Sequence, residues 1–101
     1  MTHICQSRSG VPIRLTSERW EHITQGHPEL AGLLYSVLEA VETADSVHEG
    51  ATGELLAVKR QDDGKYLVVV YREGEADGFI ITSFLTRRVQ SITKRNRIWP
   101  T

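Results

Sequence analysis

Apolar and polar residues alternate along Val11-Pro12-Ile13-Arg14-Leu15, and a period of two predicts a short strand. Pro12 has no N–H to give a ladder, so this is an edge strand or Pro12 is its first residue. Thr16 or Ser17 can then cap a helix, and Glu18 sits in the first turn, where the helix dipole favours an anion. The helix is predicted to run to about Gln25, with Gly26 as its left-handed stop. Trp20 and Ile23 give it a narrow apolar stripe. Pro28 opens a second helix at the position where a missing N–H costs nothing. Leu30, Leu33, Leu34, Val37, Leu38 and Val41 follow at helical spacing, the strongest periodic signal in the chain, ending near Thr43.

The pattern then changes to strands. Ser46–Glu49, Glu54–Arg60, Tyr66–Arg72 and Phe79–Leu85 are the candidates. Gln61-Asp62-Asp63-Gly64 is a hairpin signal, because Asp-Gly suits positive φ, and residues 73–78 form a second polar turn. Strands joined by short turns pair antiparallel. The expected fold class is therefore α+β: an N-terminal short strand and two helices packed on one face of an antiparallel β-sheet of three to four meander strands. The second helix should bury Leu34, Val37, Leu38 and Val41 against Val68, Val70 and Ile81 or the neighbours of alternate phase. The 101 residues suit a single domain. Residues 1–10 are polar and expected to be loose. Residues 89–101 are a basic segment that either forms a short helix around Val89 and Ile92 or docks Arg97–Pro100 as an extended tail.

Charge adds an asymmetry that the net value of −1 conceals. Residues 1–77 hold all 13 acidic side chains and 7 of the 12 basic ones, a net of −6. Residues 78–101 hold Arg87, Arg88, Lys94, Arg95 and Arg97 and no acid, a net of +5. Such a patch attracts phosphate even on a slightly acidic chain. Cys5 is the one cysteine, so no internal disulfide is possible, and a lone thiol suits a reducing compartment. The start has no apolar run of signal-peptide length, and Leu67–Tyr71 is too short to cross a bilayer. A cytoplasmic location away from the membrane is expected.

Two stretches carry a family resemblance. Leu15-Thr16-Ser17-Glu18-Arg19-Trp20-Glu21-His22-Ile23-Thr24-Gln25-Gly26-His27-Pro28-Glu29-Leu30 has the form LTxERWxHIxxxHPEL. Leu67–Tyr71 followed by Gly78-Phe79-Ile80-Ile81-Thr82-Ser83-Phe84 looks like a pair of strands of the form VVV…(V/I)ITA(Y/F), with Ser83 in place of the alanine. Together with the element order, residues 11–88 resemble the barnase–EndoU–colicin–RelE-like ribonucleases, in their phage- and mobile-element-associated branch. The resemblance implies a metal-independent endoribonuclease, a toxin or mobile-element effector acting on tRNA or mRNA, with a protein antitoxin or immunity protein as partner.

RNA cleavage by internal attack needs a base for the 2′-hydroxyl, an acid for the 5′-oxygen and cations for the developing charge. His22 suits either proton role, and it lies about 200° from Trp20 around the helix, away from the apolar stripe. His27, just before Pro28, could cap the second helix, pack on Trp20, or contact phosphate at the helix N-terminus. Lys59, Arg60, Arg72, Arg87 and Arg88 lie at strand ends, and alternation lets only one of Lys59 and Arg60 face a cleft. Thr82 and Ser83 could orient a phosphate or simply favour the strand. The candidate catalytic set is His22, His27, Lys59, Arg72, Thr82 and Ser83, and the candidate RNA-binding set is Arg60, Arg87, Arg88, Lys94, Arg95 and Arg97. His22 and His27 are five apart, with no HExxH, cysteine cluster, glycine-rich phosphate loop or GxSxG elbow, so neither metal nor cofactor is expected. A catalytically silent module of the same fold, binding RNA or a protein, is the alternative. An accessory protein of a phage or conjugative element is a more distant one.

Overall fold

A computed structural model describes residues 1–101. The chain runs β1 (Thr2–Gln6), β2 (Pro12–Thr16), α1 (Ser17–Gly26), a 3₁₀ turn (Pro28–Leu30), α2 (Leu34–Glu42), β3 (Ser46–Glu49), β4 (Leu55–Arg60), β5 (Tyr66–Glu73), β6 (Gly78–Thr86), α3 (Gln90–Thr93) and β7 (Arg97–Trp99). The fold is α+β. The sheet has seven strands in the order β1-β2-β6-β5-β4-β3-β7, not three to four, and it is mixed. The meander β3–β6 is antiparallel as its turn signals require, whereas β2 pairs parallel to β6. β2 is thus internal, and Pro12 is tolerated as its first residue.

Both chain ends depart from expectation by entering the sheet. Residues 1–10 are not loose: β1 pairs antiparallel with β2 from Thr2↔Thr16 to Gln6↔Pro12, closed by a turn in which Gly10 has φ +83°. Cys5 is the only β1 side chain in the core, which is why the polar run concealed a strand. The basic end takes both of its predicted forms, since α3 is followed by β7 paired with β3. Arg8 ties the two ends together, donating from Nε and Nη2 to the Ala44 carbonyl oxygen at 3.3 and 2.9 Å and stacking 3.9 Å over the Trp99 ring.

The second helix starts later than its periodicity predicts. Pro28–Leu30 forms a 3₁₀ turn, Gly32 reverses the chain at φ +83°, and α2 begins at Leu34. Leu30 is buried, so it extends the apolar spacing from outside the helix. Gly26 is not left-handed; α1 ends with the His27 N–H donating to the Ile23 carbonyl at 2.8 Å.

Ile23, Leu30, Val37, Ala40 and Val41 pack with Ile13, Leu15, Ala57, Leu67, Val69, Tyr71 and Ile80 in one core. The partners of α2 are thus the alternate-phase set; Val68 faces the other way, with Val58, Val89 and Ile92. α3 covers that opposite face at one end, and the rest of it stays open. A β-bulge shifts the β5–β6 register so that Tyr71 pairs with Ile80 and Val70 with Thr82, leaving Ile81 as the extra residue. The bulge sends Ile80 into the core and Thr82 to the open face. Gly78 permits this crossing of β2, β5 and β6, because a Cβ there would collide with the Arg72 carbonyl and sit 2.7 Å from Ile13 Cδ1.

Candidate functional site

The open face is assembled by strand register. Ile4 pairs with Arg14, Arg14 with Phe79, and Phe79 with Arg72, so these four side chains form one row across β1, β2, β6 and β5. Their neighbours along each strand, Cys5, Ile13, Tyr71 and Ile80, point into the core, which directs the row outward. Ile4 is 61% exposed and Phe79 44%. Arg14 donates to Asp77, and Arg72 Nη2 lies 3.5 Å from Thr52 Oγ1. Beside Arg72, the Glu54 carboxyl is held below its ordinary range, first by the Thr52 N–H that it accepts and more weakly by the guanidinium.

The row leads into a groove at the start of α1. β2 ends on Thr16 and α1 begins at Ser17, with no loop between. Thr16 Oγ1 caps the helix by accepting the Arg19 N–H at 3.1 Å. Arg14, Thr16, Arg19, Phe79 and Ile80 line one recess of about 210 Å³. Thr16, Glu18, Arg19 and His22 line an adjoining one of about 480 Å³. Two cations, an aromatic ring and an imidazole therefore share a continuous surface. Glu18 and His22 are one helical turn apart on the same face, so a carboxylate and an imidazole stand side by side there. His22 is exposed, and its ring makes no hydrogen bond or ion pair within the chain.

The residues singled out in the sequence do not all converge here. His22 lines the groove, and Arg72 closes the row. Thr82 lies half-buried on the open face, opposite Val70. Ser83 does not: it is fully buried and donates to the Val68 carbonyl at 2.7 Å. Lys59 faces the helices, where its Nζ donates to the Thr43 carbonyl at 3.0 Å and lies 3.7 Å from Asp45. Arg60 therefore has the open face. His27 caps no helix through its side chain; its ring is half-buried, 3.5 Å from Glu29 and tilted against Phe84 at 6.2 Å between centroids. Arg87 donates to the Asp63 carbonyl at 3.0 Å, and Arg88, Lys94, Arg95 and Arg97 are exposed around α3 and β7. Arg14, Glu18, Arg19 and Phe79 were missed as site residues, Glu18 showing in the sequence only as a first-turn anion. Alternation in Val11–Leu15 does oppose Arg14 to Ile13 and Leu15, but nothing local joins β2 to β6.

A second polar recess, of about 470 Å³, lies where β3, β7 and the end of α3 meet, lined by Ser46, His48, Thr93, Asn96 and Arg97 with the last two residues. His48 is 3% exposed and was not singled out in the sequence. Its Nδ1 is 3.1 Å from the Arg95 carbonyl and its Nε2 is 2.9 Å from Ser46 Oγ. A carbonyl can only accept, so Nδ1 carries a proton, and in the neutral ring Nε2 accepts from the serine hydroxyl.

No three His, Cys, Asp or Glu side chains converge as a metal-ligand set. No helix is long and apolar enough to cross a membrane. Comparison of the chain with family models, with curated proteins and with solved structures returns no match.

Proposed function

We propose that the protein is an endoribonuclease related to the barnase–EndoU–colicin–RelE-like enzymes, cleaving RNA at the groove between β2, α1 and β6. The observation that carries the reading is the joint placement of Arg14, Arg19, Glu18 and His22 along one open groove. In the reaction the 2′-oxygen attacks phosphorus as the bond to the 5′-oxygen breaks. One of Glu18 and His22 takes the 2′-hydroxyl proton and the other gives one to the leaving oxygen. Arg19 and Arg14 face the phosphate and offset the charge that builds on it. The nucleophile belongs to the substrate, so the mechanism calls on no metal ion. Thr82 and Arg72 lie farther along the same face and contact the strand rather than the reacting atoms, while Arg87, Arg88, Lys94, Arg95 and Arg97 extend the attraction for phosphate.

The biological role that follows is a cytoplasmic toxin or mobile-element effector acting on tRNA or mRNA. A freely active ribonuclease would damage its own host, so a protein antitoxin or immunity protein is the expected partner. Incubating purified protein with total RNA tests the reading. It expects new ends bearing 2′,3′-cyclic phosphate and 5′-hydroxyl groups, insensitive to EDTA. Retarded but intact RNA would move the assignment to a silent RNA-binding module, a reading favoured by Lys59 and Ser83 being committed elsewhere. Neither cleavage nor retardation would remove RNA from the account.

A further inference from the structure

The geometry points to Phe79 as a stacking subsite for one unpaired base, with Arg14 and Arg72 holding the phosphates on either side. It makes the substrate of the proposed ribonuclease a single-stranded segment rather than a duplex, and it rests on that reading for the chemistry that follows binding.

The argument begins with exposure. A phenylalanine 44% exposed in the middle of a sheet gives up much of the burial that an aromatic ring usually obtains. The fold has the means to cover the face, because α3 packs Val89 and Ile92 over Val58 and Val68. That cover sits over the half of the sheet where Val58 pairs with Val68, far along β5 from the Phe79–Arg72 pair. Phe79 therefore stays open, and its position is enforced by Gly78, whose missing Cβ brings β6 against the Arg72 carbonyl.

Its neighbours decide what such a ring can take. Strand partners put Arg14 on one side and Arg72 on the other. A protein-binding patch is depleted of charge at its centre, whereas this one alternates cation, ring and cation. A nucleic-acid strand has the matching order, phosphate, base and phosphate, and any base can stack on an aromatic ring. Bases inside a duplex are already stacked and paired, so the ring selects strands whose bases are free. The carboxylates of Asp77 at Arg14 and of Glu54 beside Arg72 offset part of the positive charge, but Asp77 and Thr52 each engage one terminal nitrogen of their arginine and leave further N–H donors of the guanidinium free. The recess beside Phe79 continues past Arg19 to His22, which sets the stacked base next to the phosphate to be cut.

The test uses a short fluorescein-labelled 2′-O-methyl RNA of mixed sequence, which has no free 2′-hydroxyl and cannot be cleaved. Anisotropy should report binding of the single strand and much weaker binding of the same strand annealed to its complement. Phe79→Ala should weaken single-strand binding roughly 5- to 150-fold, the range for loss of one base stack. Phe79→Tyr should bind as wild type, which controls for folding. Equal affinity for single strand and duplex, or Phe79→Ala binding as tightly as wild type, overturns the proposal. Cleavage of unmodified RNA is measured in parallel. Stacking without cleavage leaves this subsite standing and removes the ribonuclease reading, while cleavage with no effect of Phe79→Ala does the reverse.

Discussion

His22 and His48 are the same side chain in two opposite situations. His22 stands on the first helix at an open groove, with no partner inside the chain. His48 is buried in β3 with both ring nitrogens engaged, one by the Arg95 carbonyl and the other by the Ser46 hydroxyl. An imidazole that must turn over a proton needs a nitrogen free for substrate, whereas one with two internal partners joins pieces of structure. His48 ties β3 to the segment between α3 and β7, so it secures the basic end of the chain. The recess around His48 is about as large as that beside His22, so room alone does not separate an imidazole without internal partners from one with two.

Substitution separates the two most sharply at His22. His22→Gln should lower the rate of RNA cleavage about 10²–10⁴-fold, the usual contribution of general acid–base catalysis, with the melting temperature unchanged. A folded variant cutting at the wild-type rate would remove His22 from the proton transfer. The converse holds for His48. His48→Ala removes two part-buried hydrogen bonds, to the Arg95 carbonyl and the Ser46 hydroxyl, at about 0.5–1.5 kcal/mol each. Urea unfolding should show that loss, and a variant with wild-type stability would end the contrast.

A smaller effect distinguishes the groove from the basic end. Each phosphate contact contributes about 0.7 to the slope of log affinity against log salt on single strands. Arg19→Gln should reduce the slope by about that much, and Arg14→Gln by less, because its guanidinium already pairs with Asp77. The double change of Arg87 and Arg88 to Gln should reduce it less than two contacts' worth, because Arg87 already serves the Asp63 carbonyl. Equal slopes for all the variants and wild type would remove these arginines from the interface.

The smallest effect extends the contrast to other committed groups. Burial pushes the Cys5 thiol up to about 12, with Glu42 adding to the shift, and burial also raises the Tyr71 hydroxyl above its ordinary value. For both groups the folded chain disfavours the anion, so the unfolded chain ionises first as pH rises. Their stabilisation is complete below the ordinary thiol range and is lost between about pH 9 and 12 for Cys5. Native protein should therefore resist alkylation at pH 8, and the contribution of these two groups to denaturant midpoints should fall only on the alkaline side. Rapid labelling of the folded chain at pH 8 would contradict the burial of Cys5.

Much of the fold is legible locally. The period of two in β2, the apolar β-branched runs of β4–β6, the Asp63-Gly64 turn and the helical spacing of Val37 and Val41 each arise from neighbours in sequence, and the meander follows from its short turns. Gly32 is the exception inside that local signal: Leu30 keeps the apolar spacing across a break, so two elements read as one helix. Of the candidate site, His22 was legible because one helix decides which way it points. Ser83 was not, since the bulge at Ile81 inverts the alternation that would have turned it outward.

By itself the sequence determined the helix and strand segments from β2 to β6, apart from the break at Gly32, and it determined which helix faces are apolar and where positive charge accumulates, because each depends on residues a few positions apart. The pairing of β2 with β6, the capture of both chain ends by the sheet, and the meeting of Arg14, Phe79 and Arg72 belong to the tertiary structure alone. The β2–β6 pairs, Ile13 with Gly78 and Arg14 with Phe79, join residues far apart in sequence, and the register of this part of the sheet is set by the packed core, the missing Cβ of Gly78 and one bulge, none of which leaves a local pattern.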